Sequence, residues 1–355
     1  MRIVFAFLGT LGLWTSLAGA CTTAAIPQSL NKLMLKSYDW NQGHGMVVVN
    51  KRNVGKKTLN FHPQSVNKEW TSKYGSVTFN QHGREFPLGG MNEKGLAIEI
   101  MWLDSSEYPD PDTRPTVNEL QWIQYQLDNY ESAKEMYEHR DDLRIQPIYA
   151  KVHYLACDPS GTCAKFEYVD KKMVAKIGDE MTVQTLTNDT YEDSVNFLKE
   201  HKGFGGDKPI PQSSASLDRF VRASSLAGAF SESEHKPVEY AFEILDSVGP
   251  TDYSKFHIVY ETKTRQLNFR TREHFHVKSI DTDKFDFTCD GTKTQMLDMG
   301  AKVEGPVNDS FVAYTPEANK TVIEKSLEHV GALIPPAVVK AWIAYPQTTV
   351  CNPSN

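Results

Sequence analysis

The chain has 355 residues, 40% of them hydrophobic and 11% aromatic, with a formal net charge of −7. That length builds one large domain or two ordinary ones around a sizeable core, and the acidic balance excludes a nucleic-acid-binding role. Beyond Ala20 no apolar run approaches the ~18–20 residues that a membrane-spanning helix needs.

Residues 1–20 read as a secretory signal peptide. A basic Arg2 precedes an apolar run from Ile3 to Leu17, and Ala18-Gly19-Ala20 gives a small-x-small cleavage site. Cleavage after Ala20 yields a secreted or periplasmic protein, residues 21–355, whose first residue is Cys21. Short β-rich runs follow at Ala24–Ile26, Met34–Tyr38 and Gly45–Asn50. Leu96–Leu103 is a further apolar strand after the turn Met91-Asn92-Glu93-Lys94-Gly95. Thr116 and Glu119 have capping-box spacing before a helix that puts Leu120, Ile123 and Leu127 on one face. Ser132 and Glu135 repeat that cap for a second helix. A hairpin is expected at Tyr149–Cys157 and Cys163–Val169, then a strand at Val183–Leu186. Helices are expected at Glu192–Lys199, Ser216–Phe230 and Val238–Val248, and a second hairpin at Phe256–Thr262 and Gln266–Thr271. Strands and helices alternate in blocks, which predicts an α+β layered architecture rather than βαβ repeats. A single domain with helices covering stacked sheets is the expected organisation.

Five cysteines in an exported chain leave one unpaired. Cys157 and Cys163 flank a turn, Asp158-Pro159-Ser160-Gly161-Thr162, and a disulfide closing that hairpin suits an oxidising compartment. Pairing Cys289 with Cys351 would tie down the C-terminal tail. Sequence does not fix connectivity, so other pairings stay open. In this arrangement Cys21 is the free thiol. Three readings of Cys21 compete: a catalytic nucleophile whose own α-amino group is the base, a lipid-modified anchor, and an inert or disulfide-bonded cysteine. Ala18, three residues before it, suits the ordinary signal peptidase better than the leucine-like residue of a lipoprotein signal.

Several motifs carry a family resemblance. They are Cys21-Thr22, Lys36-Ser37-Tyr38-Asp39, Met91 through Leu96, Asn118-Glu119-Leu120 with Leu127-Asp128-Asn129-Tyr130, Leu186-Thr187-Asn188, and Ser216 through Arg222. In this order the chain resembles the choloylglycine hydrolases, which include penicillin V acylases and conjugated bile salt hydrolases. The resemblance implies a four-layer αββα sandwich of the N-terminal nucleophile (Ntn) class. It also implies amide hydrolysis by Cys21, with Asp39 holding the N-terminal group and Asn188 donating to the oxyanion. Arg219 is expected to reach the active-site carboxylate, with Arg222, three residues on and on the same helix face, as the alternative. A homo-tetramer is the assembly that the resemblance suggests.

The departures are specific. Lys36 stands where the family usually has arginine; it keeps the charge and loses the planar, bidentate fork, and it is expected to bind substrate and to lower the Cys21 thiol pKa. Trp102 occupies a position near the oxyanion hole where relatives carry asparagine or tyrosine, and its backbone N–H remains a donor. Trp40 and Trp102 are expected to wall a substrate pocket, the alternative being two core tryptophans. His274 and His276 alternate on a strand, but no matching ligand set accompanies them. The expected substrate is a small acyl amide (phenoxyacetyl, acyl homoserine lactone or bile-acid type), with no metal or cofactor. The competing class is a Cys21-lipidated lipoprotein that binds acyl ligands without turnover.

Overall fold

The computed structural model describes residues 20–62, 65–249, 253–291, 293–328 and 334–352. The expected signal peptide therefore lies outside the described residues, apart from Ala20. Thr22–Ile26 pairs antiparallel with Leu33–Asp39, in register from Thr22↔Ser37 to Ile26↔Leu33. Small and β-branched residues in this hairpin let both of its faces be covered. Leu33–Asp39 pairs on its other side with Ser254–Glu261, with a register shift at Ser254/Phe256. The first sheet has seven strands, in the order Thr185–Leu186, Thr22–Ile26, Leu33–Asp39, Ser254–Glu261, Gln266–Thr271, Lys278–Asp281 and Gly305–Pro306.

The second sheet has nine, in the order Lys172–Ile177, Cys163–Val169, Val152–Cys157, Ala97–Trp102, Gly89–Asn92, Ser76–Asn80, Met46–Asn50, Gln295–Asp298 and Val312–Ala313. Its glycines are required locally. A Cβ on Gly89 would collide with the Glu99 carboxyl that lies over it, so the strand has to be bare there.

Helices α1 (Glu119–Asn129) and α2 (Ala133–Glu138) cover the outer face of the second sheet. Helices α3 (Tyr191–Leu198), α4 (Ser216–Gly228) and α5 (Pro237–Val248) follow in the chain, and α4 and α5 cover the first sheet. The alternation of the strands shows why two apolar layers form. Ala24, Ile26, Leu33 and Leu35 point outward to Ala223, Ala227, Ala241 and Leu245 of the helices. Met34, Ile258, Tyr260 and Phe269 point inward to Val47, Val77 and Phe79 of the opposing sheet. Phe79 meets Tyr260 and Phe269 edge-on, at centroid distances of 6.2 and 5.4 Å. The architecture is the four-layer αββα sandwich expected from sequence.

Both expected disulfides form, Cys157–Cys163 across directly opposed residues of the hairpin and Cys289–Cys351 at the tail, and Cys21 is free and buried. One local expectation fails. Thr116 does not cap α1; it sits in the short strand Pro115–Val117, and its hydroxyl donates to Val66 O at 3.1 Å. Asn118 is the cap, accepting from the Leu120 and Gln121 amides, because a side-chain oxygen at that position reaches the first free N–H groups. Glu119 instead accepts from the amides of Ile148, Tyr149 and Ala150. Ser132 does cap α2, accepting from Glu135 N at 3.2 Å. Two C-terminal helices, α6 (Pro316–Ser326) and α7 (Pro336–Ala344), complete the fold.

Candidate active site

The hairpin register builds the centre of the site. With Thr22 opposite Ser37, Cys21 falls beside Tyr38 and Asp39, and its thiol donates to the Asp39 carbonyl oxygen at 3.9 Å. Ser37 Oγ donates to Asp39 Oδ1 at 2.7 Å. The buried Asp39 carboxyl is held in its charged form by the Ser254 and Ser37 hydroxyls against the cost of burial.

Helix α4 crosses the outer face of this hairpin and drives Arg219 into it. The Arg219 guanidinium donates to Cys21 O at 2.7 Å, Thr22 Oγ1 at 2.6 Å, Asn188 Oδ1 at 2.6 Å and Ser214 O at 3.0 Å. Arg222 bonds the carbonyls of Pro211, Ser213 and Ser247 instead, so of the two arginines it is Arg219 that meets the site. The rotation of α4 against the Thr22–Ile26 strand makes the choice. A step of three turns the side chain about 60° around the axis, enough to move it from one packing neighbour to the next.

Asn188 is held from three sides. Its amide N–H donates to Ser216 Oγ at 2.8 Å, its Oδ1 is fixed by Arg219, and its Nδ2 donates to Trp102 O at 2.9 Å. Behind it, His153 contacts Glu167 Oε1 through Nδ1 at 3.0 Å and Thr187 O through Nε2 at 2.8 Å. Glu167 Oε1 also accepts from Tyr191 N at 2.8 Å. This buried network fixes the backbone on both sides of Asn188. Trp102 presents the matching edge. Leu103 N–H bonds Lys151 O, whereas Ile100 N–H bonds Leu88 O on the other side. By strand alternation the N–H and C=O of Trp102 share the Ile100 edge, where Asn188 lies.

The charges pull against burial. Burial pushes the Cys21 thiol above its ordinary pKa, and the Lys36 and Arg219 cations pull it back down. Burial also raises the Asp39 carboxyl, opposed by Ser254, Arg219, Ser37 and Lys36. Lys36 is fully buried, donates to Ile100 O, and lies 3.8 Å from Glu99. It is not among the residues lining the pocket described next. It acts on Cys21 through space rather than by touching a ligand there.

Burial holds Glu99 up to about 7, against the downward pull of Lys36 and the Tyr260 hydroxyl. The folded state therefore keeps a proton that the unfolded chain loses above its ordinary carboxylate range. Stability should fall as pH rises from about 4.5 to 7, by on the order of 3 kcal/mol from this group. Glu99→Gln should flatten that slope in denaturant titrations at the two pH values; an unchanged slope would assign the raised carboxyl elsewhere.

A pocket of about 740 Å³, including its open mouth, lies over Cys21. Trp40 and Trp102 wall it, with ring centroids 5.7 Å apart, and Tyr149 packs on Trp102 at 6.0 Å. Tyr38, Leu88 and Ile100 extend the apolar lining. Sequence reasoning brought Cys21, Asp39, Asn188, Arg219, Trp40 and Trp102 together, as the structure does. It missed Tyr149 and the C-terminal residues Leu327, Ile334 and Trp342, which also line the pocket. Pro316 and Pro336, each at a helix start, signalled the two helices, but nothing local signalled which wall they would form. Among the described residues no cluster of His, Cys, Asp or Glu is gathered to hold a metal. His274 Nε2 lies 3.1 Å from Val303 O, and His276 Nδ1 lies 3.1 Å from Glu304.

A free buried cysteine at the head of an interior strand, an αββα frame and an arginine-clamped asparagine fit the Ntn-hydrolase class. Residues 21–295 match the model of the linear amide C–N hydrolases, choloylglycine hydrolase family, and the chain belongs to that family. It is a hydrolase acting on linear, non-peptide C–N bonds. A penicillin V acylase of Pectobacterium atrosepticum is 29% identical over 277 residues, 65% of this chain and 72% of the relative. The solved penicillin V acylase of Agrobacterium tumefaciens is 28% identical with a TM-score of 0.73, over 83% of this chain and 98% of that one. A conjugated bile acid hydrolase variant of Clostridium perfringens shares the fold, at 20% identity and a TM-score of 0.64, over 80% of this chain and 98% of that one.

Proposed function

We propose that the protein is exported, that removal of residues 1–20 makes Cys21 its first residue, and that the mature enzyme hydrolyses hydrophobic or aromatic N-acyl amides through a thioester. The observation that carries this reading is the Arg219 guanidinium, which bridges the Cys21 carbonyl and the Asn188 amide. It ties the nucleophile and an oxyanion donor to one rigid group.

The chemistry follows from the parts. The freed α-amino group has a reference pKa of ~7.7–8.0 and takes the thiol proton. In this reading the nearby Asp39 carboxylate balances its ammonium form. The thiolate attacks the acyl carbon, and the oxyanion is stabilised by the second N–H of Asn188 Nδ2 and the Trp102 backbone N–H. The C–N bond breaks as the ammonium returns its proton to the leaving nitrogen. Water, deprotonated by the same amine, then releases the acid from sulfur. The Trp40 and Trp102 rings favour a flat or apolar acyl group, phenoxyacetyl amides such as penicillin V being the first to test.

Residues 21–355 act as one domain in this reading, since the larger of the two apolar clusters takes residues from Cys21 through to Tyr345. A homo-tetramer is the proposed assembly, on the family resemblance, and light scattering tests it. A lipid-anchored binding protein is disfavoured, because the thiol that would carry the lipid is 4% exposed.

The test is a release assay on a panel of N-acyl amides with protein cleaved after Ala20. Turnover of none of them would sink the reading. In the same panel Trp102→Ala is expected to change the phenoxyacetyl-to-acetyl ratio of kcat/KM by about tenfold. Cys21 alkylation by iodoacetamide should change far less. Equal loss of both would make Trp102 a packing residue only.

A further inference from the structure

We propose that helices α6 and α7 supply a distal apolar subsite, with Leu327, Ile334 and Trp342 receiving the far end of a medium or long linear acyl chain. The inference rests on the amidase reading and extends it to the substrate's acyl length. The family match ends at residue 295, yet these residues, from 316 onward, line the same pocket as Cys21. The shared fold therefore supplies the chemistry and the near walls, Trp40 and Trp102, while the segment after it supplies the far wall.

That far wall is built and fixed. Trp342 is buried, packs edge-on against Phe86 at 5.2 Å and lies over His82 at 5.9 Å. His82 Nδ1 meets Ser326 Oγ at 3.2 Å, and burial pushes its pKa down to about 4. The imidazole is neutral at ordinary pH, so no charge in this wall opposes an alkyl chain. After α7 the chain pairs Val350–Cys351 with Val54–Lys57, and the Cys289–Cys351 disulfide anchors it. A wall tethered beyond α7 and packed on Phe86 is pre-organised and discriminates by length, because each extra methylene gains only where a wall is waiting for it. An acyl chain that stops between Trp40 and Trp102 gains nothing from Trp342.

The test uses butanoyl and octanoyl amides of 4-nitroaniline, which share one leaving group. Trp342→Ala is expected to lower the octanoyl-to-butanoyl ratio of kcat/KM at least tenfold, mainly through KM. Leu327→Trp, which fills the far end, is expected to lower the same ratio. An unchanged ratio in both variants, or equal losses for both substrates, overturns the proposal. If Trp342→Ala fails to fold, judged by circular dichroism, Leu327→Trp decides alone. If the wild-type enzyme cleaves neither amide, the acyl-amide panel decides the amidase reading, and the subsite is judged separately by calorimetry of octanoate on the Cys21→Ala protein. Binding at least tenfold weaker on adding Leu327→Trp supports the subsite, and equal binding overturns it.

Discussion

Replacing Cys21 by Ala is expected to abolish amide hydrolysis, by about 10⁴-fold or more, with little change in thermal stability. The magnitude follows because Cys21 is the free thiol among the described residues, and losing a covalent nucleophile removes the whole two-step route. Stability should hold because the thiol's bond to Asp39 O is long, at 3.9 Å, and Ala fits the same space. Cys21→Ser should retain a little activity, since a hydroxyl is harder to deprotonate. A chain in which Ala20 stays attached should be as inactive as Cys21→Ala, because the proposed base is then a peptide nitrogen. Steady-state rates on one acyl amide, with unfolding curves for each variant, check all three. Full activity in the uncleaved chain would remove the α-amine from the mechanism.

Arg219→Ala should have the second-largest effect, and it should damage both fold and function. The side chain is 1% exposed and holds four acceptors on three separate segments. Removing it leaves those acceptors and the buried Asp39 carboxyl without their cation, a change that typically costs about 3–5 kcal/mol. In the fraction that stays folded, Asn188 loses the bond that aims its Nδ2, and kcat should fall on the order of 10²–10³-fold, as for loss of an oxyanion donor. Arg219→Lys should recover part of the stability and little of the rate, because an ammonium cannot bridge Cys21 O and Asn188 Oδ1 with a planar fork. Arg222→Ala is the control. Its carbonyl partners lie at 211–213 and 247, so it should lower stability and leave kcat unaffected. Equal kinetic losses at both arginines would mean that the whole helix, rather than Arg219, positions the site.

The sequence by itself determined most of the strand and helix order between Ala24 and Thr271 and the small set of polar residues around Cys21, while the elements after Thr271 went unread. Those signals are local: alternation for the strands, periodicity for the helices, and ordered motifs whose spacing survives in one dimension. It also suggested the correct disulfides, since Cys157 and Cys163 are neighbours across a turn. The boundary of α1 was misread because two polar residues, Thr116 and Asn118, both have cap chemistry. Only pairing decided between them, by drawing Thr116 into a strand opposite Arg144 and Asn67.

Tertiary structure alone decided three things. The choice of Arg219 over Arg222 depends on how α4 rotates against the Thr22–Ile26 strand, which no helical period reveals. The net rise in the Cys21 pKa depends on burial outweighing two nearby cations, and burial is a property of the packed chain. The far wall of the pocket joins Trp342 to Cys21 across more than three hundred residues of sequence. Such a contact leaves no periodic trace, because each partner satisfies only its own local pattern and the two meet only when the layers stack.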